Sequence, residues 1–304
     1  MKLRQFTGLF LLGALSVGML AGCGDSQASE EQAEKIDELT IVQMPDENNP
    51  DAGAKNDDFR EALEKELGVK VSELEGSEYS VGIEAMKAGK LDVLLVSPMS
   101  YYQAKKVADV EPLVTTTTMG AEEYKTVFIV NGKDQETKSI EDLKGKSFAF
   151  VDPASSSGYM FPKAKLVKDL SLDTDKLENP DYFFKSVTYS GKHDSSVMGV
   201  VKGDYDAAAV AAQTIDGLVG AGMIEKDDVR IIGETDVIPN ALYVIRKDLP
   251  EETKAAVKDF YLNYDNPEYF EALYGTKDAK FVEVDEDDYA VIEEMTDTLH
   301  LEEE

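Results

Sequence analysis

The sequence has little positive charge. Among its 304 residues, 31 lysines and arginines stand against 61 aspartates and glutamates, and the formal net charge at pH 7 is −30. Proteins that bind nucleic acids need a basic surface to neutralise the phosphate groups. The composition therefore argues against nucleic-acid binding, and the acidic excess is typical of a strongly solvated surface.

Cysteine and long apolar runs are also scarce. Cys23 is the only cysteine, so the chain cannot form an internal disulfide. The apolar run FTGLFLLGALSVGML is too short and too interrupted to span a membrane well. Because this run follows Lys2 and Arg4, it matches the core of a secretory signal.

The apolar run ends in LAGC, which resembles the lipobox of bacterial lipoproteins. We therefore predict a signal peptide over residues 1–22 and a lipidated Cys23, so that no free thiol is left. Residues 23–37 would be the lipidated cysteine and a flexible acidic tether, because they are small, polar and acidic. The expected location is the extracytoplasmic face of the cell membrane, at the cell surface or in a periplasm, with a lipid as the only anchor. The alternative is a plain signal peptide with an incidental cysteine.

Strand and helix signals alternate along the rest of the chain. ELTIVQM predicts a strand, DDFREALEKELG a helix that ends at Gly68, and LDVLLVS a buried strand. This rhythm predicts an α/β fold with parallel strands and helices on both faces of a sheet.

One pattern occurs twice. VGIEAMKAGKLDVLLV (81–96) is echoed by VMGVVKGDYDAAAV (197–210), with Gly89 matching Gly203 and Asp92 matching Asp206. In each copy the glycine would end a helix, and the apolar run would form a central strand. The echo predicts two similar α/β lobes.

Two extended segments predict crossings between these lobes. The first crossing falls between PLVTTTTMG and YKTVFIVNG, and the second near RIIGETDVIPNALYVIRKDL. We expect lobe I to contain residues 38–118 and 244–304, and lobe II residues 119–243. Two lobes joined at a hinge enclose a cleft, where small ligands bind.

The segment VDPASSSGYMFP (151–162) follows a predicted strand and begins a predicted helix. The first turn of a helix has unpaired N–H groups and a positive dipole end, which together favour anions. Ser155, Ser156 and Ser157 would add hydroxyl donors, and Gly158 would let a ligand approach the backbone. A simple serine cap needs only one hydroxyl, so three in a row favour an anion site.

Other polar side chains fall at similar junctions. His193 precedes the helix of the second copy, where it could cap the helix or donate into the cleft, and Tyr79 lies at a loop-to-helix junction. LLVSPMSYYQAKKVA places Ser97, Ser100, Tyr101 and Tyr102 after a buried strand. His300 lies in the acidic tail and is given no role.

These motifs resemble a known family. VDPASSSGYMFP, YSGKHDSSV, GDYDAAAV and IPNALYVIRKDLP look like those of the phosphate/phosphite/phosphonate-binding proteins of ABC importers, in the same order. The resemblance implies the type II periplasmic-binding-protein fold, with a ligand cleft and hinge between two α/β lobes. It also implies a ligand site for a phosphorus oxoanion at Ser155, Ser156, Ser157, Gly158, His193, Tyr79 and Tyr101.

The resemblance further implies a monomeric solute-binding protein that delivers its ligand to a permease and an ATPase, without enzymatic activity, metal or cofactor. Relatives that bind aminophosphonates often carry acidic residues where this chain has Ala241, and some relatives have Asp or Asn where it has Ala211. An ammonium group without a carboxylate partner would be costly to bury. We therefore expect phosphite, phosphate or a simple alkylphosphonate.

Three alternatives stay open. A hydrolase could use Ser156 or Ser157 as nucleophile and His193 as base, although the glycine two residues before a nucleophile elbow is missing. A ferric-ion receptor of the same fold class could use Tyr101, Tyr102 and His193. A sulfonate receptor would use the same physical interactions as the phosphorus oxoanion site.

Overall fold

The structure is a computed structural model, and it describes residues 36–42, 50–74, 79–117, 124–274 and 276–301. The predicted signal peptide and the lipidated Cys23 lie outside the described residues, as does the tether up to residue 35. Within the ranges described, no helix is both long and apolar enough to cross a bilayer.

Strands and helices alternate through the chain, as the sequence predicts. The first part contains β1 (Glu38–Val42), α1 (Pro50–Leu67), β2 (Lys70–Glu73), α2 (Tyr79–Lys87), β3 (Val93–Val96), α3 (Pro98–Val107) and β4 (Val110–Thr116). The middle part contains β5 (Thr126–Asn131), β6 (Ser147–Phe150), α4 (Phe161–Leu170), β7 (Ser186–Tyr189), α5 (His193–Lys202), β8 (Ala207–Ala211), α6 (Ala212–Gly220) and β9 (Val229–Glu234). The last part contains β10 (Leu242–Arg246), α7 (Glu251–Asn263), α8 (Pro267–Tyr274), β11 (Phe281–Val282) and α9 (Ala290–Thr298).

The strands form two separate sheets. The first has the order β11-β4-β10-β3-β1-β2, with β1 parallel to β2 and β3, and β10 antiparallel to β3 and β4. The second has the order β7-β6-β8-β5-β9, with β6 parallel to β7 and β8. Each sheet is covered on both faces, since successive residues of the central strands pack into different apolar clusters. This mixed α/β architecture confirms the predicted fold class.

The chain passes from the first sheet to the second between β4 and β5, and returns between β9 and β10. A fifth apolar cluster joins the two halves: Met99 of α3 packs with Met160 and Phe161 before and within α4, and with Ile238 and Ile292. The residue limits given above for the two lobes stay predictions.

The two copies of the repeated pattern are built alike. Gly89 and Gly203 follow α2 and α5 with φ of 66° and 82°, a left-handed conformation that glycine adopts without strain. The carboxylate of Asp92 accepts the N–H of Thr40 at 2.7 Å, and that of Asp206 accepts the N–H of Ser147 at 2.8 Å. In both lobes, the aspartate before the central strand therefore binds the neighbouring parallel strand.

Candidate functional site

The serine segment lies between β6 and α4. The carboxylate of Asp152 accepts the N–H of Ala154 at 2.7 Å, and its carbonyl accepts the N–H of Ser155 at 2.9 Å. The helix then begins with one wide turn, Ser156–Met160, before α4 continues it. All three serines are buried, and each hydroxyl has a different set of partners.

Ser155 caps the helix and contacts the first lobe. Its hydroxyl oxygen accepts the N–H of Gly158 at 2.9 Å. The phenol of Tyr79, at the start of α2, is hydrogen-bonded to Ser155, and burial raises the pKa of Tyr79. The structure therefore brings Tyr79 and Ser155 together from opposite lobes.

Gly158 is held by close packing against β6. A Cβ atom at this position would lie 2.3 Å from the Cβ of Val151, far inside contact distance. The carbonyl of Gly158 also accepts the N–H of Val151 at 2.9 Å. Because Gly158 has no side chain, the start of the helix packs closely against β6. We expected this glycine to let a ligand approach the backbone, whereas the structure shows it in contact with the strand.

The hydroxyl oxygen of Ser157 has two hydrogen-bond donors beside it. Its hydroxyl oxygen accepts from the phenol of Tyr124 at 2.7 Å and lies 3.3 Å from Nε2 of His193. Nδ1 of His193 accepts the N–H of Ala211 at 3.0 Å. Because Nδ1 accepts, a neutral ring carries its proton on Nε2 and donates to Ser157. Both lone pairs of Ser157 are then occupied, and its own proton is left to donate to a ligand.

His193 is neutral at physiological pH. Burial lowers its pKa to about 4, although the charge of Asp194 opposes the shift. The ring is a fixed donor to Ser157 and does not have the free acceptor nitrogen that a hydrolase base needs. The same hydrogen bonds that prepare Ser157 for an anion thus argue against activation of Ser157 as a nucleophile.

Tyr124 was not predicted as a site residue. It precedes β5 at the first crossing, and burial raises its pKa. Tyr79 also interacts electrostatically with Tyr124, so the two phenols lie near each other. The only sequence signal for Tyr124 is its position at a crossing between the lobes. The direction of its side chain depends on the path of the chain at that crossing.

Ser156 contacts the start of α3. Its hydroxyl oxygen accepts the N–H of Met99 at 2.7 Å, and its O–H donates to the hydroxyl oxygen of Ser97 at 3.3 Å. Ser97 and Ser100 donate in turn to the carbonyl of Ala154, at 2.9 Å and 2.7 Å. These bonds join the two lobes directly beside Ser155 and Ser157.

Tyr101 lies apart from these hydrogen bonds. Its hydroxyl donates to the carboxylate of Glu286 at 2.9 Å, and its ring packs against Tyr289. Lys105 binds the same carboxylate at 2.8 Å. The structure therefore brings Tyr79, the serines and His193 together but gives the Tyr101 hydroxyl another partner.

An open cavity adjoins the site. Its volume is about 430 Å³, and its lining includes Thr115, Tyr124, Ile238, Asn240 and Tyr289. Tyr124 is the residue that this cavity shares with the hydrogen bonds around Ser157. In the part of the chain that the structure covers, no group of three or more histidine, cysteine, aspartate or glutamate side chains is placed to hold a metal ion.

The chain is similar to known transport proteins over most of its length. Residues 41–289 match the model of the periplasmic substrate-binding protein of phosphonate ABC transporters. The phosphate-import protein PhnD of Mycolicibacterium smegmatis is 27% identical over 281 residues, covering 89% of this chain and 86% of the relative. The phosphonates-binding periplasmic protein of Escherichia coli is 26% identical over 264 residues, covering 85% of this chain and 72% of the relative.

A solved structure shows the same fold. It is a binding protein from Prochlorococcus marinus in complex with methylphosphonate, with a TM-score of 0.73 and 23% identity. The match covers 87% of this chain and 98% of that protein. The two-lobed arrangement thus agrees with the family match. The chain belongs to the family of periplasmic substrate-binding proteins of phosphonate ABC transporters.

Proposed function

We propose that the protein captures a small phosphorus oxoanion, such as phosphite, phosphate or a simple alkylphosphonate, in the cleft between its lobes. It delivers the anion to the permease of an ABC importer, which is driven by an ATPase. The observation that carries this proposal is Ser157: two donors occupy its lone pairs, which leaves its hydroxyl proton for a ligand.

The proposed ligand contacts lie on both lobes. Tyr79 of the first lobe shares one hydrogen bond with Ser155 of the second, so one proton of this pair is left for the ligand. Ser157 gives its hydroxyl proton, whereas Tyr124 donates its proton to Ser157 and holds that serine in place. The N–H groups of Ser156 and Ser157 belong to the first turn, where a helix has no acceptor for them. His193 fixes Ser157 in its donor role, and Gly158 positions the turn. We leave Tyr101 out of the ligand contacts, because its hydroxyl is bound to Glu286.

Hydrogen bonds from neutral groups stabilise the bound anion. Each bond to a charged partner contributes about 1.5–3 kcal/mol net. The Ser157 hydroxyl, the Tyr79–Ser155 pair and two backbone N–H groups supply about four such bonds, which together offset much of an association cost on the order of 4–15 kcal/mol. Fixed dipoles also avoid the burial of a countercharge beside the acidic surface.

The ligand carries no ammonium group in this proposal. Ala211 supplies the N–H that holds His193, so its side chain lies close to the site and offers no carboxylate. Ala241 immediately precedes β10 and is likewise uncharged. An aminoalkyl phosphonate would have to bury its ammonium group unpaired, which is costly.

The location follows from the sequence signals. Lipidation at Cys23 would hold the binding domain on the extracytoplasmic face of the membrane, where it binds solutes beside the permease. The protein would act there as a monomer. Labelling of the expressed protein with a radioactive fatty acid tests the anchor. We expect incorporation in the natural protein and none in the Cys23→Ser variant, whereas equal labelling of both would overturn the anchor at this residue.

Calorimetry with a panel of anions tests the proposed ligand class. We expect tight binding of phosphite, phosphate or methylphosphonate and weak binding of sulfate, an alkanesulfonate and 2-aminoethylphosphonate. Ser157→Ala should lower the affinity by about tenfold or more, and Ser80→Ala, an exposed serine on α2, should leave it unchanged. Tight sulfonate binding with no phosphorus oxoanion bound would favour the sulfonate alternative and overturn the proposal.

A further inference from the structure

The hydroxyl of Ser156 points to the opposite lobe, although Ser156 lies between Ser155 and Ser157, which are proposed to contact the ligand. Its two bonds run to the N–H of Met99 and to the hydroxyl of Ser97, both at the start of α3. Ser97, Ser100 and Ser156 are at most 9% exposed, so water does not compete for these bonds.

A count of protons shows that these hydroxyls have none left for an anion. Each serine hydroxyl has one proton. Ser97 and Ser100 donate theirs to the carbonyl of Ala154, and Ser156 donates its proton to Ser97. The oxygen of Ser97 also accepts the N–H of Ser100 at 3.1 Å, which caps α3. The hydroxyl oxygens of Ser97 and Ser100 also lie 2.8 Å apart, and either could donate to the other. Every proton of the group is therefore used within the group or on the carbonyl of Ala154.

We propose that Ser97, Ser100 and Ser156 form an interlobe latch, which favours the closed form of the cleft and sets its affinity without contact to the ligand. The latch residues are thus positioning residues. The inference rests on the proposed function, because closure of the lobes around the ligand is what the latch assists.

The position of the latch fits this role. Its bonds exist only while the start of α3 touches the turn that follows β6. The apolar cluster of Met99, Met160, Phe161 and Ile292 lies beside it and is formed by the same approach of the two lobes. A bond made in one conformation alone shifts the population toward that conformation, with or without ligand.

This role predicts a distinctive effect on affinity. The apparent dissociation constant equals the intrinsic one divided by the fraction of protein in the competent state. A weakened latch lowers this fraction equally for every ligand, so all affinities fall by one common factor. A residue that touches the ligand changes the affinities unequally, because ligands differ in the group they present to it.

The test compares Ser100→Ala with Ser157→Ala and with the exposed control Ser80→Ala. Calorimetry and stopped-flow measurements would use phosphite, phosphate and methylphosphonate. We expect Ser100→Ala to speed dissociation of each ligand by about tenfold at unchanged affinity ratios. We expect Ser157→Ala to change the ratios. Altered ratios for Ser100→Ala, or dissociation rates equal to those of the Ser80→Ala control, would overturn the latch.

Small-angle X-ray scattering of ligand-free protein gives a readout that needs no ligand. We expect a larger radius of gyration for Ser100→Ala than for the natural protein and the Ser80→Ala control, and identical values would overturn the latch. Should Ser100→Ala fail to fold, Ser156→Ala removes the acceptor of Met99 and is judged by the same criteria. If no phosphorus oxoanion binds the natural protein, the proposed ligand class fails, while scattering still decides on the latch.

Discussion

The imidazole of His193 links Ala211 to Ser157. Nδ1 accepts the N–H of Ala211 at 3.0 Å, and Nε2 lies 3.3 Å from the hydroxyl oxygen of Ser157. The backbone of β8 thereby selects the tautomer that donates to Ser157. The site consequently presents donors to its ligand without any formal positive charge on these groups, which suits an oxoanion.

The neutral state of His193 has a consequence for stability. Burial lowers its pKa to about 4, whereas a histidine in an unfolded chain has a pKa of about 6.5. Between these values the unfolded chain binds more protons, so the free energy of unfolding falls as the pH drops from about 6.5 toward 4. The slope from this residue reaches at most about 1.4 kcal/mol per pH unit.

Denaturant titrations from pH 7 to pH 4 check this prediction. His193→Gln should remove this contribution, so that the difference in stability from the natural protein changes with pH. His300→Gln alters the other histidine of the chain and should preserve the contribution of His193. A pH dependence of His193→Gln that parallels the natural protein throughout would contradict the assigned tautomer and charge.

Tyr124 and Tyr101 should differ in effect, because only the hydroxyl of Tyr124 is bonded to the serine segment. Tyr124→Phe removes the donor that occupies Ser157 and should lower oxoanion affinity by about tenfold. Tyr101→Phe removes only the bond to Glu286 and should leave the affinity unchanged within about twofold. Calorimetry on both variants checks the assignment. A large loss in Tyr101→Phe would restore this residue to the ligand contacts.

Replacement of Gly158 should cost stability. Gly158→Ala would place a methyl group 2.3 Å from the Cβ of Val151, and overpacking of this kind costs about 1–3 kcal/mol. A Cβ atom at Gly217 in α6 would meet nothing within 4 Å, so Gly217→Ala should be neutral or stabilise the helix by up to about 1 kcal/mol. Thermal and urea unfolding of both variants measure the difference. Equal stabilities would mean that the turn shifts freely away from β6.

Lys163 supports the helix that follows the site. It is buried and binds the carboxylate of Glu178 at 2.7 Å and the phenol of Tyr159 at 2.8 Å. Removal of one partner from a fully buried ion pair costs about 3–5 kcal/mol, and the side chain of Glu178 is 26% exposed, which reduces the cost. Lys163→Met should therefore destabilise the protein by less than this range, and the double variant with Glu178→Gln should recover part of the loss. Urea unfolding checks both values, and additive losses would argue against the coupling.

The pH dependence of this pair has the same sign as that of His193. Burial opposes ionisation of Glu178, but hydrogen bonds from Lys163, Tyr189 and Tyr159 overcome it and lower its pKa. The stabilisation is complete above the unfolded pKa of a glutamate and is lost as the pH falls through the lowered value. Glu178→Gln should make stability less dependent on pH in this acidic range.

Local patterns were sufficient to predict the architecture. The repeat of Gly89–Asp92 in Gly203–Asp206 reflects two local interactions. The glycine ends a helix, and the aspartate accepts a hydrogen bond from the neighbouring parallel strand. Short-range signals of this kind can be recognised in the sequence without knowledge of the tertiary fold. The serine segment was predictable for the same reason, because its position between a strand and a helix depends on local sequence.

The partners of the individual hydroxyls could not be predicted. Ser156 binds Met99, 57 residues away, and Tyr124 binds Ser157 across 33 residues. These directions depend on how the lobes approach each other and where the crossings run. Tyr101 illustrates the same limit, since its hydroxyl partner Glu286 comes from the C-terminal part of the chain.

A crystal structure of the protein with bound methylphosphonate tests the central claim most directly. We predict that the phosphonate lies between the lobes, with one oxygen within about 3 Å of the Ser157 hydroxyl oxygen and another beside Tyr79. A phosphonate bound elsewhere, or one whose oxygens do not contact Ser157, would contradict the account.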